Sequence, residues 1–312
     1  MYSFVIPCYN SSESIRHVVE LTMEEMEKMN RREFEFVLVN DYSSSTKTMP
    51  VLKKLAEEYP CVTVLNLAKN AGQHNAIMAG LNYAKGDILI GMDDDMQTHP
   101  SQLPYLFEEL EKGYDIVYGY YPEKKHSAFR NFGSWVNYIS VRILIGKPKE
   151  LKTSSYWVAR KFVRDSVIEY QAPYAYIQGL FLRTTRNISC IPIQHFQREE
   201  GESNYTFKRL LKLWSNIIGF SITPLRLTEY CGFGLSLLSI IAAVVVLIRK
   251  ILNPAMALGW PSLMIVICFF SGIQLMFLGL IGEYIGRMFL GLNRQPQYVI
   301  REVIRQEREE QE

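Results

Sequence analysis

Short apolar runs alternate with amphipathic stretches through the first 120 residues. Tyr2–Pro7, Phe34–Asn40, Val62–Leu67, Ile88–Met92 and Asp115–Gly119 are rich in β-branched and aromatic residues and read as strands. Between them, Ser11 or Ser12 caps a helix that reaches about Asn30, with Glu13 in its first turn. Met49–Glu58, Gly72–Ala84 and Leu103–Lys112 read as three more helices. This β-α-β-α order predicts an α/β fold with a mostly parallel sheet covered by helices. The late chain has another pattern. Tyr230–Ile248 and Ser262–Gly282 hold no charged residue, and each is close to the ~20 residues that cross a bilayer core. Two such spans in succession, joined by Arg249–Pro261, predict a transmembrane hairpin.

Charge refines this picture. The flanks outside the hairpin carry Lys208, Arg209, Lys212, Arg226, Arg287, Arg294 and Arg301, whereas the connector carries only Arg249 and Lys250. By the positive-inside rule, the large N-terminal part and the C-terminal tail both face the cytoplasm. Residues 205–228 form a basic, amphipathic juxtamembrane stretch, in which Phe207, Leu210, Leu211 and Trp214 accompany Lys208, Arg209 and Lys212. That composition suits a helix lying among lipid headgroups, or one packed on the soluble domain. The expected divisions are 1–204, 205–228, 229–285 with the two spans, and a tail at 286–312. Tyr298–Ile304 leads into a charged end, Arg305–Glu312, read as a solvated helix end. The net charge of +2 gives no electrostatic case for nucleic acid. Five scattered cysteines without a CxxC argue against a disulfide framework or a zinc site.

The chemistry concentrates at Ile88–Gln97, ILIGMDDDMQ. A buried strand that ends in Asp93, Asp94 and Asp95 delivers carboxylates to the rim where open α/β sheets bind ligands. Three adjacent acids repel one another. They read either as a solvated acidic turn or as oxygen ligands for Mg²⁺ or Mn²⁺, with substrate phosphates completing the shell. Extended backbone would point Asp93, Asp95 and Gln97 one way and Asp94 the other. The strand ends at Pro7-Cys8-Tyr9-Asn10 and Asn40-Asp41 fall on the same rim, which makes Asp41 either a turn residue or an acceptor for a nucleobase or ribose. No GxGxxG or GxxxxGKS/T is present, so neither a dinucleotide fingerprint nor a P-loop is supported.

These stretches, with Lys69-Asn70-Ala71-Gly72-Gln73-His74-Asn75-Ala76 and Gly86-Asp87, resemble the family 2 glycosyltransferases of GT-A fold. Arg198-Glu199-Glu200-Gly201-Glu202-Ser203-Asn204-Tyr205, Pro224-Leu225-Arg226, the two apolar spans and Gly282–Arg287 extend the resemblance to the polyisoprenyl-phosphate glycosyltransferases. Within these, the chain is most similar to bacterial undecaprenyl-phosphate 4-deoxy-4-formamido-L-arabinose transferases and their glucosyl relatives. The resemblance implies an inverting, metal-dependent transfer from a nucleotide-diphosphate sugar, UDP-linked by preference, to a polyprenyl phosphate. It implies a bacterial inner-membrane enzyme that forms homo-oligomers, tetramers in relatives. Pro7, Tyr9, Asn10, Asp41, Asn70, Gln73, Asp93 and Asp94 would hold the nucleotide sugar. Asp93, Asp95 and Gln97 would hold Mg²⁺ or Mn²⁺, with Asp93 and Asp95 as the catalytic pair. Arg130, Arg198, Ser203 and Tyr205 would hold the acceptor phosphate, for which guanidinium forks and hydroxyl donors are suited.

The chain departs from the family pattern at four places. Ser11 replaces a Glu, Asn40 replaces an Asp, Tyr42 replaces a Gly, and Trp157 aligns with an Arg. Ser155 is the nearest match to an Asp considered as a base in some relatives. Two other functions compete. A non-catalytic membrane scaffold of the same fold would tolerate these departures. A processive polysaccharide synthase would carry QxxRW, but Gln178 is followed by Gly179-Leu180-Phe181.

Overall fold

The computed structural model describes residues 1–122, 146–194, 223–252 and 259–306. Its framework is one eight-stranded sheet in the order β7-β5-β6-β4-β1-β2-β3-β8. β1 (Tyr2–Cys8) lies between β2 (Phe34–Asn40) and β4 (Ile88–Gly91) and is parallel to both; β3 (Val62–Leu67) continues the parallel set beyond β2. These strands are apolar along nearly their whole length because helices cover both faces. One face carries Phe4, Ile6, Phe36 and Leu38 against α1 (Ile15–Lys28), α2 (Thr48–Glu58) and α4 (Leu103–Glu111). The other carries Val5, Val37, Val39 and Leu89 against α3 (Gln73–Tyr83), α5 (Lys161–Val167) and α6 (Ile177–Thr184).

The parallel pattern breaks at β6 (Trp157–Arg160), which runs antiparallel to β4 on one side and to β5 (Ile116–Tyr120) on the other. β7 (Ile188–Pro192) then pairs in parallel with β5. Trp157, fully buried, sits opposite Gly91 and packs edge-on against Phe181 with ring centroids 4.9 Å apart. A Cβ at Gly91 would overlap the Trp157 indole. The position aligned above with a polar arginine is therefore a core position, and Trp157 does not reach the rim.

The helix at 15–28 starts later than either Ser11 or Ser12 would place it, because Ser14 ends the preceding turn and its hydroxyl donates to the Asp94 carbonyl instead of capping. α7 (Thr223–Leu252) and α8 (Trp260–Leu292) contain the two apolar spans and run past them. Both are long and apolar enough to cross a membrane. Leu238, Phe233, Leu275 and Phe269 stand exposed on them.

Of the charged end at Arg305–Glu312, residues 307–312 lie outside the described residues, and Arg305 closes a strand. Ile300–Arg305 forms β8, which pairs antiparallel with β3 and becomes the edge strand on that side. Glu302 meets Lys53 at 3.3 Å, and the Gln297 amide donates to the carbonyls of Tyr170 and Ala172 at 2.6 and 2.8 Å. Arg287, near the end of α8, lies over the Tyr174 ring at 4.8 Å. The chain that leaves the last long helix is thus stitched to the α/β layer by hydrogen bonds, an ion pair and a cation–π contact.

Gly91→Ala should destabilise the protein by about 1–3 kcal/mol, because the added methyl forces the Trp157 indole from its pocket. Thermal unfolding followed by tryptophan fluorescence checks this, and an unchanged midpoint would show that the indole has room to move.

Candidate active site

The carboxyl ends of β1, β2 and β4 meet as the sequence implied, and backbone hydrogen bonds hold them together. Asp41 N–H donates to the Cys8 carbonyl at 3.0 Å. Tyr9 N–H donates to Asp94 Oδ2 at 3.1 Å. Between these loops and the start of α3 opens a cleft of about 510 Å³. The end of β1 gives it Pro7, Cys8 and Tyr9, and β2 gives it Asp41. The turn before α3 adds Asn70, Gly72 and Gln73, and the acidic stretch adds Asp93, Asp94 and Asp95. Cys8 and Gly72 were not among the expected residues.

The acids do not lie on a strand. β4 ends at Gly91, and residues 94–98 form a series of bends with Met96 at φ +62°. All three acids line the cleft, but their side chains take different partners. Asp94 turns toward β1, where burial raises its carboxyl above the ordinary range and the Tyr9 N–H opposes that rise. Asp93 Oδ1 accepts from the Gln73 amide at 2.9 Å, and Oδ2 accepts from the Ser155 hydroxyl. Thr98 braces the turn, its hydroxyl accepting from Asp93 N–H at 3.0 Å and donating to the Asp93 carbonyl at 3.2 Å. Asp95 Oδ1 accepts from Gln97 N–H at 3.2 Å.

Tyr121 is a site residue that the sequence reading missed. Its hydroxyl donates to the Gln97 carbonyl at 2.6 Å. Burial, followed by the charges of Asp93 and Asp95, raises its phenol well above the ordinary value. Asp93, Asp95 and Gln97 therefore gather around one phenol just past β5. The signal in the sequence was only a tyrosine one residue beyond a short strand.

Other expected residues have local duties. Asp41 accepts from the backbone N–H of Ala71 at 2.6 Å and of Gly72 at 2.9 Å, one with each carboxylate oxygen. Asn70 donates to the Asp41 carbonyl at 3.0 Å. Asp41 is thus a clamp on the turn that starts α3, as well as a wall of the cleft. Asn10 does not line the cleft. Its backbone is left-handed at φ +60°, and its side chain holds the next loop by accepting from Ser45 N–H at 2.9 Å. Tyr42, at φ +53°, keeps the left-handed turn for which glycine is suited, and it stands exposed beside the cleft with Tyr9. Gln97 lies on the acidic turn and is not among the lining residues. Arg130, Arg198, Ser203 and Tyr205 lie outside the described residues, as does the amphipathic stretch before α7.

Among the described residues, no group of three His, Cys, Asp or Glu side chains forms a ready metal cage. The donor set nevertheless fits a hard divalent cation: two carboxylates, with an amide on the same turn, half-buried at a cleft mouth. Such cations are commonly held by one or two carboxylates, with substrate phosphates completing the shell.

A family model described as "Glycosyl transferase family 2" matches residues 3–170. The chain belongs to that family. The undecaprenyl-phosphate 4-deoxy-4-formamido-L-arabinose transferase of Edwardsiella ictaluri is 34% identical, over 99% of this chain and 97% of its own length. The protein of that name from Pseudomonas syringae is 32% identical, over 97% of this chain and 90% of its own. Among solved structures, the Mycobacterium tuberculosis glucosyl-3-phosphoglycerate synthase, in complex with Mn²⁺ and UDP-glucose, superposes with a TM-score of 0.52. It is 16% identical and covers 71% of this chain and 79% of its own, which is a likeness of fold. The protein is a glycosyltransferase with a GT-A fold.

In this glycosyltransferase, His74 cannot serve as a cation for phosphate. It is buried in the first turn of α3, against the edge of Tyr176 at 5.2 Å between centroids, and burial lowers its pKa from 6.5 to about 4. It is neutral in the folded protein near neutral pH, whereas in the unfolded chain it gains a proton below pH 6.5. Its contribution to stability is therefore fully present above pH 6.5 and is lost as pH falls toward 4, by about 3 kcal/mol in all. Relative to wild type, His74→Phe should show a flatter stability profile between pH 6.5 and 4. Thermal unfolding in detergent across that range measures the difference, and parallel profiles would refute the assignment.

Proposed function

We propose that this glycosyltransferase moves one sugar from a nucleotide-diphosphate donor, UDP-linked, to a polyprenyl phosphate at a membrane face, with inversion at the anomeric carbon. The observation that carries the reading is the cleft in which the ends of β1 and β2, the start of α3 and Asp93–Asp95 converge. The names of relatives aligned over nearly their whole length supply the acceptor class. The apolar helices α7 and α8 support a membrane location. β8 shares a sheet with β3, which supports the catalytic domain and the end of the second span lying on one side. We assign that side to the cytoplasm by the charge of the flanks.

In this reading, Pro7, Tyr9, Asp41 and Asn70 bind the nucleoside. The first turn of α3, beginning at Gln73, presents its N–H groups and helix dipole to the anionic diphosphate. Asp93, Asp95 and Gln97 hold the Mg²⁺ or Mn²⁺. When bound, that cation supplies positive charge that stabilises the departing diphosphate. Gln73 and Ser155 fix the Asp93 carboxylate, and Tyr121 fixes the turn that carries Gln97. The acceptor phosphate is an anion near neutral pH, so no strong base has to take its proton. The presence of Ser155 where some relatives place an Asp is compatible with that.

Calorimetry of detergent-solubilised protein with UDP and GDP, in Mn²⁺ and in chelator, tests the donor site. UDP should bind with Mn²⁺, chelator should abolish binding, and Asp95→Ala should weaken it at least about tenfold while the protein stays folded. Failure of well-folded wild type to bind either nucleotide would favour the scaffold reading. With undecaprenyl phosphate as acceptor, the product should carry one sugar; repeated addition would favour a processive synthase.

A further inference from the structure

Beside the cleft, on the face covered by α3 and α6, four buried side-chain atoms have no hydrogen-bond partner. They are His74 Nδ1, Asn75 Oδ1, Tyr118 OH and Gln178 Oε1. They belong to one neighbourhood. The His74 ring meets Tyr176. Asn75 spends its amide on the carbonyls of Ala71 and Pro173, both at 3.0 Å, which leaves its oxygen over. Burial raises the Tyr118 phenol far above its usual value, and neighbouring Tyr176 adds to the rise. Gln178 lies in the first turn of α6, two residues after Tyr176. Tyr118 pairs with Trp157 in the sheet, and Trp157 with Gly91, so this layer lies just below the rim where Asp93 emerges. Gln73, which precedes His74, lines the cleft and holds Asp93.

We propose that the seam between the starts of α3 and α6 is the subsite for the sugar ring of the donor, and that it reads ring hydroxyls. Buried polar groups in folded proteins are almost always paired, and a cluster of exceptions calls for an explanation. The orphaned atoms are neutral. Two are amide oxygens that need donors, one is a phenol that can give or take, and one is an imidazole nitrogen. A polyol ring supplies such groups in number, and an anion cannot satisfy an amide oxygen. The Tyr176 ring packs on His74 at this seam, and a bound sugar would require that ring to move. The inference rests on the donor reading above and adds to it the residues that choose the sugar.

The test uses the full chain in detergent with Mn²⁺ and measures Kd for UDP, UDP-glucose, UDP-galactose, UDP-xylose and UDP-N-acetylglucosamine. Wild type should spread the four sugar nucleotides over at least about tenfold, as hydrogen-bonded discrimination requires. Gln178→Leu and His74→Phe should narrow that spread to about two- or threefold, with UDP itself bound as in wild type. Equal weakening of UDP and all sugar nucleotides would overturn the proposal, as would an unchanged spread in both variants or a wild type that treats all four alike. Hydrogen exchange on wild type keeps the test open if the variants fail to fold. Amides of 74–76 and 177–180 should gain protection with the tightest sugar nucleotide beyond that given by UDP, and equal protection would refute the subsite. Absence of UDP binding by wild type would instead refute the donor site itself.

Discussion

Three carboxylates on adjacent residues would repel one another into solvent if all faced the same way. The site depends on dividing them. Asp94 is turned inward onto the Tyr9 N–H, and Ser14 seizes the Asp94 carbonyl, so the acidic stretch is pinned to the end of β1 by its middle residue. Asp93 and Asp95 keep other partners and lie near Tyr121. The cost is a buried carboxyl with a raised pKa. The gain is a pair of acids whose spacing is set by the backbone and not by their own repulsion.

The same economy governs the remaining loops. Asp41 uses both oxygens to form the turn that starts α3, and that turn then brings Gln73 onto Asp93. Asn10 and Tyr42 take left-handed backbone so that their loops can lie side by side. Each rim residue serves another rim residue, which makes the cleft a single unit in which a change at one position is felt at the next.

Much of this was legible beforehand. The β2 and β3 boundaries agree to the residue, because their apolar runs are bounded by polar turns. The meeting of three strand ends follows from the parallel order alone. What escaped has physical causes. β6 has four residues, and its place between β4 and β5 depends on Trp157 finding room over Gly91, a contact between residues 66 positions apart in the chain. β8 mixes apolar and charged residues without a strict alternation and follows a long apolar helix, so nothing local marked it as a strand that pairs with β3. The helix start at Ile15 was hidden because Ser14 bonds across space and not along the chain. The family alignment set Trp157 where relatives have an Arg, and steric packing makes that position core.

The placement of β8 also sets an order of events in the cell. Chains are made from the N-terminus onward, and domains fold as their residues appear. Here β3 has no partner on its outer side until residues 300–305 arrive, after both long apolar helices have been made. For the time it takes to synthesise more than half the chain, that edge is open, and an open edge invites pairing with other chains. The outer side of β3 is covered only by a strand made after both long apolar helices, so the sheet of the N-terminal layer depends on residues far down the chain.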